Sequence, residues 1–366
     1  MVQSPASAER TLRRWARVAW VSAALVVLAG SVVRMTGSGM GCPDWPRCFG
    51  LAIPPTHVDQ VTWQPGETYG EGRMLVGSDT LWVSTSAHRA EGSFAAERAT
   101  GKWEPYTAHD YALFNPFHTW VEFINRLLGA FTGLPVLVLW VLSLRHAIRF
   151  GRWRLALWAT AVLMALGAVA WLGKRVVDGN LVPHSITWHM LGALAILLLL
   201  AAYVADSRRA APSSPATSVL PGLSLPWLSV AALFALVQLI TGTQVREAVD
   251  TLLALPTPRT DLMAQLPEWW KGHRTGSWAV LAVHLLWMVP LWRASVGSSL
   301  AHSPSRRAVL LATGLLLGQT LTGTAFVFLD MPALLQPLHL MLAMGLLTLD
   351  GWLLLRYARF TRYALR

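Results

Sequence analysis

Eight stretches of apolar residues, set apart by polar or glycine- and proline-rich connections, organise this chain. They fall near 16–36, 118–144, 154–173, 185–205, 227–246, 276–293, 308–328 and 332–355. Several reach the roughly 20 residues a helix needs to cross a bilayer. The pattern predicts an all-α integral membrane protein of eight transmembrane helices. A cleavable signal peptide is the other reading of the first run. That run is longer than a usual signal core and no small-residue cleavage site follows it, so it counts here as a span.

The connections are short with one exception. Segment 37–117, between the first two spans, is rich in Trp, Pro and Gly. In it Met74-Leu75-Val76 and Thr80-Leu81-Trp82-Val83 read as two short strands about a Gly77-Ser78-Asp79 turn. His109-Asp110-Tyr111 and Phe114-Asn115-Pro116 mark a stop before the second span, so the loop is expected to be partly ordered and to cap one face. Segment 211–226 reads as a flexible linker. The stretches on its two sides look related. Gly30-Ser31-Val32-Val33-Arg34 ends the first span and Gly242-Thr243-Gln244-Val245-Arg246 ends the fifth, while Trp188-His189 opens the fourth and Leu338-His339 the eighth. The expected organisation is two tandem four-helix bundles, 1–210 and 227–366, joined by the linker.

Composition changes the picture only in part. Hydrophobic residues make up 54% and charged residues 13%, against roughly 25% charged in a soluble domain. The net charge of +11 would suit nucleic acid, but its distribution does not. Arginines gather in alternate connections: Arg10 to Arg17, Arg145 to Arg154, Arg208 and Arg209, Arg293 to Arg307, and Arg356 to Arg366. The 37–117 loop instead carries nine acids against five basic residues. By the positive-inside rule the Arg-rich connections and both termini are cytoplasmic and the long loop is outside, with the lipid bilayer as partner and no nucleic acid. Cys42 and Cys48 follow the first span on that disulfide-permissive side; a bridge between them and two unpaired thiols are both open.

Ionisable residues inside a bilayer are costly, so each is a functional candidate. The group Glu122, Asn125 and Arg126, with His189, His284 and His339, is expected within about two turns of the outer ends of the spans. Facing imidazoles at one depth can hold heme iron from both sides, and His284 with His339 would be such a pair. Taken singly, each histidine could instead bond a backbone carbonyl. In the first half His189 parallels His339, whereas the counterpart of His284 falls near Asn125, a poor iron ligand. His118, Glu122 and Asn125 share one helical face. Glu122 there could accept a proton or position a water, or simply pair with Arg126. Arg34, Arg126 and Arg246 suit heme propionates, or snorkel to headgroups. The 19 Trp are weak evidence for heme, since many belong to the interfacial belts.

At these residues the chain resembles a known family. Arg34-Met-Thr-Gly-Ser-Gly-Met-Gly-Cys42-Pro-Asp-Trp-Pro-Arg-Cys48-Phe-Gly50, followed by Pro54-Pro55, is similar to the first-loop signature of the heme A synthase family. Glu122-Phe-Ile-Asn-Arg126 is similar to its Glu-x-x-His-Arg motif, and Thr241-Gly-Thr-Gln-Val-Arg246, His284 and His339 to its second-half pattern. The resemblance implies a bacterial cytoplasmic-membrane oxidoreductase that converts the C8 methyl of heme O to the formyl group of heme A, with water as oxygen source. It implies heme B held by the second-half histidines, heme O received by the first half, and Glu122 as the catalytic residue. Implied partners are heme O synthase as donor and cytochrome oxidase with its assembly factors; homo-oligomerisation stays open. The family's first-half histidine is Asn125 here, so His189 is left as the main ligand, with His118 or His184 as substitutes. The competing readings are a heme carrier or chaperone without catalysis, which has no need of Glu122, and an electron-carrying cytochrome b-type subunit.

Overall fold

The computed structural model of the chain describes residues 5–77, 79–107, 113–179, 184–207, 224–253, 255, 258–295 and 304–364. Each apolar run forms one long helix: α1 (Pro5–Met35), α2 (Pro116–Phe150), α3 (Trp153–Asp178), α4 (Ser185–Ser207), α5 (Ser224–Leu253), α6 (Trp270–Ser295), α7 (Pro304–Phe328) and α8 (Leu335–Ala364). All eight are long and apolar enough to cross a membrane. The helices outrun their apolar cores because i→i−4 hydrogen bonding continues into the charged flanks. α6 shows this best: it begins at Trp270, six residues ahead of the apolar run that starts at 276, and takes in Lys271, His273 and Arg274. The linker over 211–226 lies almost wholly outside the described residues, as do Ser78 and the His109-Asp110-Tyr111 stop.

Two compact units emerge from the packing. One holds Met1–Val27, Thr132–Gly167 and Met190–Arg366; the other holds Leu28–Phe131 and Ala168–His189. In the first unit α5 packs against α6 and α8, and α7 packs against the same two. α6 and α8 therefore stand diagonally opposite across a four-helix bundle, and side chains from both can meet inside it. The Arg-rich ends of the earlier helices are tied by polar contacts: Glu9 with Arg152, Arg13 to the Ser207 carbonyl at 2.8 Å, and Arg154 with Asp206 at 3.2 Å. Gly151 makes the tight turn from α2 to α3. It has φ 71 and donates its N–H to the Ala147 carbonyl at 2.8 Å, a left-handed cap that a side chain would strain.

The second unit carries a small β structure inside the long connection. β1 (Thr68–Tyr69) pairs with β4 (His88–Arg89). β2 (Met74–Gly77), β3 (Thr80–Ser84) and β5 (Trp103–Pro105) form an antiparallel sheet in the order β2-β3-β5. Both expected strands are present, and Met74 pairs with Val83 and Gly77 with Thr80. Alternate side chains of a strand point to opposite faces, and here both faces are covered. Met74 and Leu81 join the disulfide, Phe49 and Val61 in one core. Leu75 joins Tyr69, Ala90 and Trp103 in another, with Trp63, Trp82 and Phe94 against it.

Candidate functional site

Helices α6 and α8 each carry a histidine near their first residues. His273 is three positions into α6 and His339 four positions into α8. The two stand at matching positions on helices that lie across the bundle from each other. Each is held in the same way from the preceding long helix. Gln238 donates its amide to the His273 carbonyl at 2.8 Å and Gln319 to the His339 carbonyl at 2.5 Å. Nδ1 of His273 lies 3.0 Å from the Thr241 hydroxyl, and Nδ1 of His339 lies 2.7 Å from that of Thr322. Thr322 gives its own proton to the Gly318 carbonyl, so the hydroxyl accepts from Nδ1–H. That tautomer leaves the Nε2 lone pair free. Fixing one ring nitrogen as a donor so that the other can bind a metal is the usual arrangement around ligating histidines.

Each ring packs against a glycine, tightly enough at Gly242 that a side chain would crowd it. A Cβ at Gly242 would stand 3.0 Å from Cε1 of His273, and one at Gly323 would stand 3.6 Å from Cε1 of His339. The unit with the long connection repeats the seat twice. A Cβ at Gly173 would be 3.2 Å from Cε1 of His189, and one at Gly30 would be 3.7 Å from Oδ1 of Asn125. So four helices present a residue against a glycine of the helix before it, and at three of them that residue is histidine. Oδ1 of Asn125 is buried and makes no hydrogen bond among the described residues.

His284 sits elsewhere. It is fourteen residues into α6, about 16 Å along the axis from His273, and does not share the depth of His339 near the start of α8. Both its ring nitrogens are engaged: Nδ1 is 2.8 Å from the Val280 carbonyl and Nε2 is 3.2 Å from Oδ2 of Asp350. The expectation of a shared depth for His284 and His339 is corrected by the early start of α6. The apolar run had placed that start at 276, so His273 fell in a loop. The residue that reasoning passed over left two signals. Gln238-x-x-Thr241-Gly242 recurs as Gln319-x-x-Thr322-Gly323, and His273-Arg274 echoes Asn125-Arg126.

Around Glu122 the long connection folds back onto α2. Gly41 packs so tightly that a Cβ there would lie 2.4 Å from the His118 carbonyl oxygen. This brings the Cys42 N–H to Oε2 of Glu122 at 2.9 Å, while Oε1 pairs with Arg126. Arg126 spends the rest of its fork on the carbonyls of Cys42, Asp44 and Arg47. Cys42 and Cys48 form a disulfide and are fully buried. Asp44 accepts the Gly50 N–H at 2.9 Å; burial pushes its carboxyl above the ordinary range, with that N–H and Arg126 opposing. Arg126 is thus committed to loop carbonyls and to Glu122. Arg246 pairs with Asp250 at 2.8 Å, and Arg34 closes α1 with one guanidinium nitrogen buried. His118 bonds Ser38 at 2.9 Å.

Residues 13–70 and 83–350 match the COX15-CtaA family of cytochrome oxidase assembly proteins. The chain belongs to that family. Among relatives of this COX15-CtaA member is the heme A synthase of Shewanella oneidensis, 28% identical over 244 residues. That match covers 66% of this chain and 59% of the Shewanella protein. The heme A synthase of Brucella anthropi is 22% identical over 354 residues, covering 90% of this chain and 87% of its own length. The matched segments take in the Cys42–Cys48 loop, Glu122 and all four glycine seats.

Proposed function

We propose that this protein is a heme A synthase, oxidising the C8 methyl of heme O to a formyl group for cytochrome oxidase. The methyl and one water become the aldehyde, and four protons and four electrons leave for a membrane-soluble oxidant. Family membership supports this reading, and the observation that carries it is the matched pair His273 and His339, each with Nδ1 held by a threonine hydroxyl. Those two residues would hold a resident heme B, a one-electron carrier when bound. This assigns to His273 the role expected of His284. Arg246 and Arg34 lie on the α5 and α1 ends that would face its propionates and those of the substrate. In the other unit His189 would bind substrate iron, and Asn125 would leave the opposite seat without an imidazole.

Glu122, one helical turn from Asn125, would be the nearest carboxylate to the reacting methyl and would accept its protons. In the resting arrangement both its oxygens are engaged, by Arg126 and by the Cys42 N–H, which also suits the second reading, a heme carrier in which Glu122 only clamps the loop. The Arg-rich ends and both termini would face the cytoplasm. The test is heme content and turnover of variants in the full chain. His273→Ala and His339→Ala should lose heme B, and His284→Ala should retain it. Glu122→Gln keeps an acceptor for the Cys42 N–H; it should retain heme B and the disulfide but lose methyl oxidation. Full activity in Glu122→Gln would remove Glu122 from the chemistry, and loss of heme only in His284→Ala would restore the pairing read from sequence.

A further inference from the structure

We propose that His284 and Asp350 form a proton-holding site inside the α5–α8 bundle, coupled to the charge on the His273–His339 site above it. The inference rests on the heme reading for that upper pair. His284, Asp350 and Trp287 are all fully buried. The Val280 carbonyl can only accept, so Nδ1 of His284, 2.8 Å away, carries a hydrogen. Nε2 then faces Oδ2 of Asp350 at 3.2 Å. Two lone pairs would repel at that distance, so one proton lies between them, on the imidazole or on the acid. With that proton the pair is neutral; without it a bare carboxylate would stand in the bundle interior, at high cost.

The pair also has capacity for a second proton. Oδ1 of Asp350 is buried without a hydrogen bond, and so is the indole N–H of Trp287, one turn along α6 from His284. A buried acceptor without a partner suits a buried water, the natural carrier of a proton to Oδ1. Among the described residues, His284 is the side chain paired with Asp350, at 3.2 Å.

The register supplies the coupling. His284 follows His273, and Asp350 follows His339, by eleven residues each. Eleven residues make about three turns plus 20°, or about 16 Å. Both members therefore lie on the same helix faces as the upper histidines, across the same diagonal. With a heme held there, one added electron would place a negative charge in a low-dielectric interior, felt over this distance. Asp350 Oδ1 would then take one proton from water to offset it, and would release that proton once the electron had passed to the oxidant.

The experiment is a redox titration of bound heme in the purified full chain against pH, with redox-difference infrared spectra in the carboxylic acid C=O region. Wild type should show a midpoint that falls as pH rises, and an aspartate C=O band that appears or shifts on reduction. Asp350→Asn should keep its heme, flatten the slope and lose the band. If Asp350→Asn does not fold, His284→Gln and aspartate isotope labelling of the wild type carry the test. A heme-loaded wild type with no aspartate band, or variants with unchanged slope and band, would overturn the proposal and leave the pair as a structural link. A wild type that binds no heme would overturn the heme reading itself, and this inference with it.

Discussion

A methyl group at Gly242 would lie 3.0 Å from Cε1 of His273, closer than carbon atoms ordinarily pack. Forcing extra volume into a packed interior costs about 1–3 kcal/mol, and here the ring that must move is the proposed ligand. Gly242→Ala should therefore lower the heme retained on purification. Gly314→Ala on α7, where nothing stands within 4 Å of the added carbon, should leave it unchanged. Equal retention in the two would show that the seat does not position the ring. Asn125 gives a second outcome at this scale. Asn125→His restores an imidazole on the fourth seat, so heme loaded into that unit should shift to the spectrum of two-histidine ligation; an unchanged spectrum would mean that the seat does not face the iron. His189 and His339 sit near the starts of α4 and α8, where the sequence reading put them. His273 was passed over, because hydropathy marks where lipid begins rather than where a helix begins, and Lys271 and Arg274 mask the first turns of α6. His284 drew attention instead, being a polar residue within an apolar run.

Elements in the long connection were legible where local pattern decides them. The alternation at Met74–Val76 and Thr80–Val83 forecast β2 and β3, and the pairing follows it. β5 and the short helix Phe94–Ala99 were not forecast, since they depend on contacts distant in sequence. Ser93 caps that helix by accepting the Ala96 N–H, and Trp103 stacks edge-on against Tyr69 and Phe94. Glu97 fastens the helix to the sheet: it accepts the Glu91 N–H at 2.9 Å and pairs with Lys102 at 3.2 Å. The Glu91 N–H first, and Lys102 after it, hold its carboxyl below the ordinary value of 4.5, with burial opposing. A carboxyl depressed on folding stabilises the fold above its free pKa, and that contribution is lost as pH falls through the folded value. Pulse-labelled hydrogen exchange of peptides covering 88–105 should therefore show loosening as pH drops below about 4. Glu97→Gln should remove the pH dependence. A wild-type exchange pattern flat through this range would show that Glu97 does not tie the helix down.

Across the whole molecule, eight helices were readable because a bilayer leaves few ways to satisfy a backbone. That α6 and α8 would bring side chains together was expected from the His284–His339 reading, but the meeting of His284 with Asp350 was not, because nothing in the local pattern joins them. The two candidate centres differ in kind. One offers two histidines, each with Nδ1 against a threonine hydroxyl, and a buried His284–Asp350 pair beneath them. The other offers His189, a seat occupied by Asn125, and a carboxylate clamped beneath a disulfide loop. A resident redox group in the first and a reacting substrate in the second would use that difference, whereas a simple carrier has no need of it. The most direct measurement is extraction and mass-resolved chromatography of hemes from cells that make heme O, with and without this chain. Heme A, or its hydroxylated intermediate, should appear only when the chain is present. Purified protein carrying heme B, from cells in which heme O accumulates unchanged although its electron acceptor is supplied, would contradict the account and favour the carrier.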